Sequence, residues 1–127
     1  MINSFRDLTV WQKSMDLVIQ VYRVTEKMPT TEKYGLTSQV RRATVSIPSN
    51  IAEGKAVGGR GYARHVKVAL GSEAEVQTQI EIARRLGMLS NSEVRELAEA
   101  ASEVGRMLAG LYRALPNKKK KKKTQTN

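Results

Sequence analysis

Apolar residues in this chain recur every three or four positions through four long stretches, and proline or glycine separates each stretch from the next. That rhythm matches the 3.6-residue helical repeat, and no stretch of useful length alternates with the period of two that a strand needs. The first stretch predicts a helix from about Thr9 to Lys27. In it Leu8, Trp11, Met15, Val18 and Tyr22 make one stripe, and Leu17, Val21, Val24 and Met28 make an adjoining one. Such a helix is apolar around a wide arc. Ser4 or Asp7 is placed to cap its start, and Pro29 ends it by pushing Met28 out of helical geometry. Residues 30–35 read as a turn with room for one helical turn.

The second helix starts near Leu36 or Thr37, with Leu36, Val40, Ala43, Ile47 and Ile51 marking its buried face. Pro48 lies inside it and removes a donor to the carbonyl of Thr44, so a kink is expected, with Ser46, Ser49 and Asn50 near enough to satisfy the freed carbonyl. The helix should end at Gly54 or soon after, because Gly58-Gly59-Arg60-Gly61 is too rich in glycine to stay helical. A third helix is expected from about Tyr62 to Leu86, with Val66, Ala69, Leu70, Val76, Ile80 and Ala83 inward and Gly87 as its C-terminal cap. The fourth begins at Ser90-Asn91-Ser92-Glu93, which has capping-box spacing. Val94, Leu97, Ala101, Val104, Leu108, Leu111 and Leu115 then follow a three-four heptad, and Pro116 stops it. Four such helices on short links imply an all-α fold, an up-down-up-down antiparallel four-helix bundle over residues 1–116, followed by a disordered basic C-terminal tail over 117–127. The small residues Ala98, Ala101, Gly105 and Ala109 would admit a close neighbour, either within the bundle or from another subunit.

A chain of 127 residues fits one domain with a modest core. Its aromatic residues are Phe5, Trp11 and four tyrosines, so Leu, Ile, Val, Ala and Met must fill the interior. The absence of cysteine excludes disulfides, thiolate metal sites and a cysteine nucleophile. Residues 1–7 do not form a signal peptide, and no stretch approaches the roughly 20 apolar residues that span a bilayer. The expectation is a soluble, cytoplasmic protein with no membrane partner.

The net charge of +10 is unevenly spread. Lys118, Lys119, Lys120, Lys121, Lys122 and Lys123 form one run, and the body without them carries +4. Within the body, residues 41–67 hold Arg41, Arg42, Lys55, Arg60, Arg64 and Lys67 against Glu53 alone, whereas residues 73–103 hold seven glutamates against three arginines. Separate basic and acidic surfaces attract polyanions and can also pair copies of the chain with each other. A solvated helix face is the plainer explanation of any single charge among them.

Catalytic and metal chemistry find little support, and neither a cofactor nor a catalytic residue is expected. His65 is the single histidine, set between basic residues with no evident carboxylate partner, and reads as a surface histidine. No Glu-x-x-His or His-Glu-x-x-His pattern occurs. The glycines from Gly54 to Gly61 lack the Gly-Lys-Ser/Thr ending of a phosphate loop and follow no strand, so they read as a flexible turn. More informative are polar residues inside apolar runs: Gln39, Ser46, Asn50 and Glu53 with Arg41 and Arg42 on the second helix, and Ser72, Glu75 and Gln79 on the third. Their spacing lays Arg42, Ser46, Asn50 and Glu53 along one ridge and Ser72, Glu75 and Gln79 along another. The ridges should meet as a partly buried polar network, with a ligand or nucleic-acid site as the other reading.

The same residues carry a family pattern. Phe5-Arg6-Asp7-Leu8-Thr9-Val10-Trp11-Gln12, Tyr34-Gly35-Leu36-Thr37-Ser38-Gln39-Val40-Arg41-Arg42-Ala43 and Ser46-Ile47-Pro48-Ser49-Asn50-Ile51-Ala52-Glu53-Gly54 occur in order. Gly71-Ser72-Glu73-Ala74-Glu75-Val76-Gln77-Thr78-Gln79 and Ala83-Arg84-Arg85-Leu86-Gly87 follow. Together they resemble the bacterial four-helix bundle protein family, also called the 23S rRNA intervening-sequence protein family, over roughly residues 4–115. The resemblance implies a protomer that assembles into a homopentamer. It also implies kinship with the accessory variability determinant of diversity-generating retroelements, basic pentamers that bind nucleic acid and associate with a reverse transcriptase. Glu103-Val104-Gly105-Arg106-Met107-Leu108 is similar to the corresponding part of that group.

The resulting expectation is a non-enzymatic homo-oligomer that binds RNA or DNA without sequence specificity, serving a retroelement reverse transcriptase. Its nucleic-acid contacts would come from Arg41, Arg42, Lys55, Arg60, Arg64, Lys67 and the lysine run. The alternative is a protein-interaction scaffold, or an rRNA intervening-sequence protein, whose charged surfaces mainly drive self-assembly.

Overall fold

A computed structural model of the chain describes residues 4–116. The lysine run, and with it the expected tail, lies outside the described residues. Four long helices form: α1 (Thr9–Thr25), α2 (Leu36–Val57), α3 (Gly59–Arg85) and α4 (Asn91–Ala114), with short 3-10 turns at Phe5–Asp7 and Thr30–Glu32. Each helix packs on its sequence neighbours and α4 closes back on α1, giving an antiparallel four-helix bundle.

The core is aliphatic. Leu17 and Val21 from α1, Val40, Ile47 and Ile51 from α2, Val66, Val76 and Ile80 from α3, and Leu97, Val104 and Leu108 from α4 are almost completely buried. Burying each such side chain is worth about 1.5–3 kcal/mol, which is why this interior suffices without large aromatics. On α1 the inner stripe runs through Val10, Ser14, Leu17, Val21 and Thr25. Of the other stripe, Leu8 and Trp11 pack partly buried against the core, whereas Met15 and Tyr22 are exposed, as is Ile19 beside them.

Several helix ends differ from the sequence expectation. Ser4 accepts from the Arg6 amide and so caps the first 3-10 turn; α1 itself has Leu8 at its N-cap and no side-chain cap. At its other end α1 stops at Thr25, two residues before Lys27, and the chain then turns through Met28, which is buried. Glu32 supplies a cap that spacing did not reveal, its Oε1 accepting from the Leu36 amide at 2.9 Å. Pro48 sits inside an uninterrupted α2. Asn50 does reach back to a carbonyl, but to that of Ser46, at 2.8 Å, rather than to that of Thr44.

The largest correction concerns the glycines. They do not form a loop: α2 continues to Val57, α3 begins at Gly59, and only Gly58 separates them, with φ 72°. Arg60 and Gly61 are therefore helical. A left-handed residue reverses the chain in one step, and glycine alone adopts it without steric penalty.

The other links follow their signals. Gly87 (φ 75°) closes α3 with amide bonds from Gly87 to the Arg84 carbonyl and from Met88 to the Ala83 carbonyl, a Schellman motif. Ser90 and Glu93 form the capping box at the start of α4. The Glu93 carboxylate also accepts from Lys27 beyond the end of α1, so one side chain ties the end of the first helix to the start of the last. On α4, the stripe of small residues faces α3: a Cβ at Gly105 would come 2.8 Å from Glu73 Oε1, and the Ala98 carbonyl accepts from Gln77. The close neighbour expected there is inside the protomer.

Gly54 is the tightest point between α2 and α3. A Cβ there would stand 2.9 Å from His65 Cβ and 3.1 Å from Tyr62 Cδ1, whereas a Cβ at Gly71 would meet nothing within 4 Å. Gly54→Ala should therefore destabilise by about 1–3 kcal/mol through overpacking. Gly71→Ala should stabilise by about 0.5–1 kcal/mol through helix propensity, and urea unfolding separates the two.

The Lys27 hydrogen bond, then the Ser90 amide, hold the Glu93 carboxyl below its usual value of 4.5. A depressed folded pKa contributes stability that is complete above the unfolded value and lost as pH falls through the folded one. Glu93→Gln should cost under about 1 kcal/mol at neutral pH, Lys27 being largely exposed. Thermal melts of variant and parent should converge as pH drops below 4.5.

Candidate nucleic-acid interface and polar cleft

The turn at Gly58 sets the register of α2 against α3, and residues equidistant from Gly59 come to face each other. Ser46 and Ser72 share a hydrogen bond between their Oγ atoms of 2.8 Å. Glu53 Oε1 lies 3.6 Å from His65 Nδ1. Between these pairs, Asn50 donates from Nδ2 to the Ser46 carbonyl and, at 3.1 Å, to Ser46 Oγ. Its Oδ1 accepts from His65 Nδ1 at 2.9 Å, which fixes the proton on that ring nitrogen.

His65 is thus no solitary surface side chain. It is partly buried and completes the network that the sequence left between Ser46, Asn50 and Glu53. A signal for it exists: His65, Ser72 and Gln79 are spaced seven apart on α3, as Gln39, Ser46 and Glu53 are on α2. Reading it requires the length of the turn.

The rest of the two ridges does not close. Past the Ser46–Ser72 bond, α2 and α3 leave a cleft of about 470 Å³ between Ser38, Gln39 and Arg42 on one wall and Glu75 and Gln79 on the other, with Tyr34 at the rim. Gln79 Oε1 is buried with no hydrogen-bond partner. Arg42 and Glu75 line the same space without forming an ion pair.

The six cations of residues 41–67 separate into three places. Arg41 packs between α1 and α2, donating to Thr25 Oγ1 at 2.9 Å and to the Tyr22 carbonyl, with its guanidinium 4.4 Å from the centre of the Tyr22 ring and 3.8 Å from Glu26. It is a tie between helices and has little left for a phosphate. Arg42 belongs to the cleft. Lys55, Arg60, Arg64 and Lys67 surround the α2–α3 turn, and Arg60, Arg64 and Lys67 are exposed along one stripe of α3. None of these four has an acidic partner within ion-pair distance among the described residues. Arg42 stands about 22 Å along α2 from its end at Val57, at 1.5 Å per residue.

Helix directions bring the last described residue, Pro116, to the same end of the bundle as Gly58, so Lys118 to Lys123 follow in sequence from there. Acidic groups collect elsewhere. Glu96, Glu99 and Glu103 line a shallow depression on α4 with Arg106 and with Gln20 of α1, and Lys13 pairs with Glu103 at 3.4 Å. Glu81 of α3 is engaged by Arg84 and Arg85, which draw its carboxyl down to about 2. No group of three His, Asp or Glu suited to a metal ion occurs among the described residues, and no described helix is long and apolar enough to cross a membrane.

Comparison with known proteins fits this architecture. The model of the 23S rRNA-intervening sequence protein family matches residues 6–110. Among solved structures, a protein of unknown function from the S23 ribosomal protein family of Bacteroides thetaiotaomicron superposes with a TM-score of 0.77. It is 18% identical, and the match covers 84% of this chain and 100% of that one, so the likeness speaks to fold. No curated protein matches in sequence.

Asn50 is the hub of the closed part of the network. Asn50→Ala should cost about 1–3 kcal/mol in chemical denaturation, because it takes the acceptor from His65 Nδ1 and leaves the Ser46 hydroxyl only its bond to Ser72.

Proposed function

The chain belongs to the 23S rRNA-intervening sequence protein family, and we propose that it acts as a non-enzymatic, homo-oligomeric nucleic-acid-binding protein. The observation that carries this reading is the cluster of Lys55, Arg60, Arg64 and Lys67 around the α2–α3 turn, free of acidic partners, at the bundle end from which the lysine run continues. Cations with no protein partner keep their full attraction for phosphate, and release of the counterions condensed on a nucleic acid supplies the binding free energy. Contacts of this kind position a backbone and carry no sequence information, so RNA and DNA are both substrates for them.

Self-assembly strengthens the effect. The acidic depression on α4 and the basic end offer complementary surfaces for copies of the chain, and a pentamer is the assembly that the resemblance implies. Five copies at +10 each would present +50, so weak individual contacts would add. The kinship with retroelement accessory proteins that the resemblance implies would make a reverse transcriptase the protein partner of this proposal. The second reading is favoured by the Glu96, Glu99 and Glu103 surface: a scaffold in which the charged faces serve subunit contact alone.

A mobility-shift series against salt tests the first reading. Affinity for RNA should fall linearly on a log–log plot, and Arg64→Glu with Lys67→Glu should reduce the slope by about 2, one for each phosphate contact removed. Affinity that is absent at low salt, or indifferent to it, would overturn the reading. If the same double variant loses its oligomer by light scattering, the scaffold is favoured instead.

A further inference from the structure

The cleft between α2 and α3 is unexplained by phosphate binding, because an anion lines it as well as a cation. Arg42 on one wall and Glu75 on the other remain unpaired, the buried Gln79 Oε1 has no donor, and Tyr34 stands 88% exposed at the rim. An occupant that satisfies all four must present hydrogen-bond acceptors on one edge, donors on another, and a flat face. The volume of about 470 Å³ lies within the range of about 300–1,000 Å³ typical of small-molecule sites.

The geometry points to a single unpaired guanine as that occupant, a base turned out of the nucleic acid whose backbone the basic end holds. Guanine presents O6 and N7 as adjacent acceptors to an arginine fork, the commonest specific contact that arginine makes with a base. Its neighbouring edge presents N1–H and N2–H, a donor pair that a carboxylate accepts through both oxygens. The other N2 hydrogen is left for an acceptor such as Gln79 Oε1. Adenine sets its N6 donor where the guanidinium requires an acceptor, and cytosine and uracil each offer the carboxylate a single edge donor. Tyr34 supplies a stacking face at the rim, the usual platform for a base outside a helix.

This inference rests on the nucleic-acid reading for its biological setting, but the cleft can be tested without it. The intact chain is titrated with GMP, AMP, CMP and UMP, which share one phosphate and differ in the base, while the amide resonances of Tyr34 and Gln79 are followed by NMR. GMP should bind about tenfold tighter than the other three, and inosine monophosphate, lacking the N2 amine, should fall between. Glu75→Gln and Arg42→Gln should each abolish the preference while leaving the helical signal and the oligomer mass unchanged, since neither side chain holds a partner in the fold.

Equal binding of the four nucleotides overturns the proposal. So does a preference that survives Glu75→Gln, or one whose resonance changes lie at Lys55 to Lys67 instead. A change of oligomer mass in these variants with nucleotide binding unaltered would make the cleft a subunit contact. Failure of the salt series with a GMP preference intact would remove the nucleic-acid function and leave a guanine-nucleotide site, so the two readings fail separately.

Discussion

The close approach of α2 and α3 at Gly54 sets the geometry on which the other features depend. With no side chain at Gly54, the backbone of α2 can lie against His65 and Tyr62 of α3, and Gly58 can reverse the chain in a single residue. A turn so short fixes the register of two long helices. The register then decides that Ser46 meets Ser72 and that Asn50 meets His65, and the polar groups among them are satisfied in pairs. A buried hydroxyl or amide without a partner costs more than the bond it would make, so these pairings resist any slippage of the helices.

The same register explains why the pair is closed at one end and open at the other. Near the turn, small residues and short polar side chains let the helices touch. Farther up, Gln39, Arg42, Glu75 and Gln79 are too long to interlock at that spacing, and they line a cleft instead of filling it. One antiparallel hairpin thus holds a rigid network, an open polar cleft and, at its tip, a group of cations without acidic partners. The remaining helices support it: α1 receives Arg41, α4 lays its small-residue stripe along α3, and Glu93 joins the two.

The element types were legible because the aliphatic spacing is long and regular, and the capping box and the Gly87 cap were legible because each has a local chemical signature. The α2–α3 boundary was not. Three glycines in four residues lower helix propensity by about 1 kcal/mol each relative to alanine, which reads as a loop. Packing against α2 overrides that local preference, and the helix persists through Gly59 and Gly61. The error then propagated to His65, whose partners can be found only when the turn is one residue long. The different surroundings of Arg41 and Arg42 were hidden for a related reason. Adjacent arginines look equivalent in sequence, but neighbouring helical positions point about 100° apart, so Arg41 enters the α1 interface and Arg42 the cleft.

By itself, the sequence determined the number and kind of the elements, the composition of the core, the family and the sign of the charge on each region. Those follow from spacing, from transfer free energy and from the count of ionisable groups, none of which needs a third dimension. Tertiary structure alone decided which polar residues meet, which cations stay free and where a cleft remains. These depend on helix register and on the distance between backbones, and both were set by the absence of a side chain at Gly54 and by the left-handed turn at Gly58.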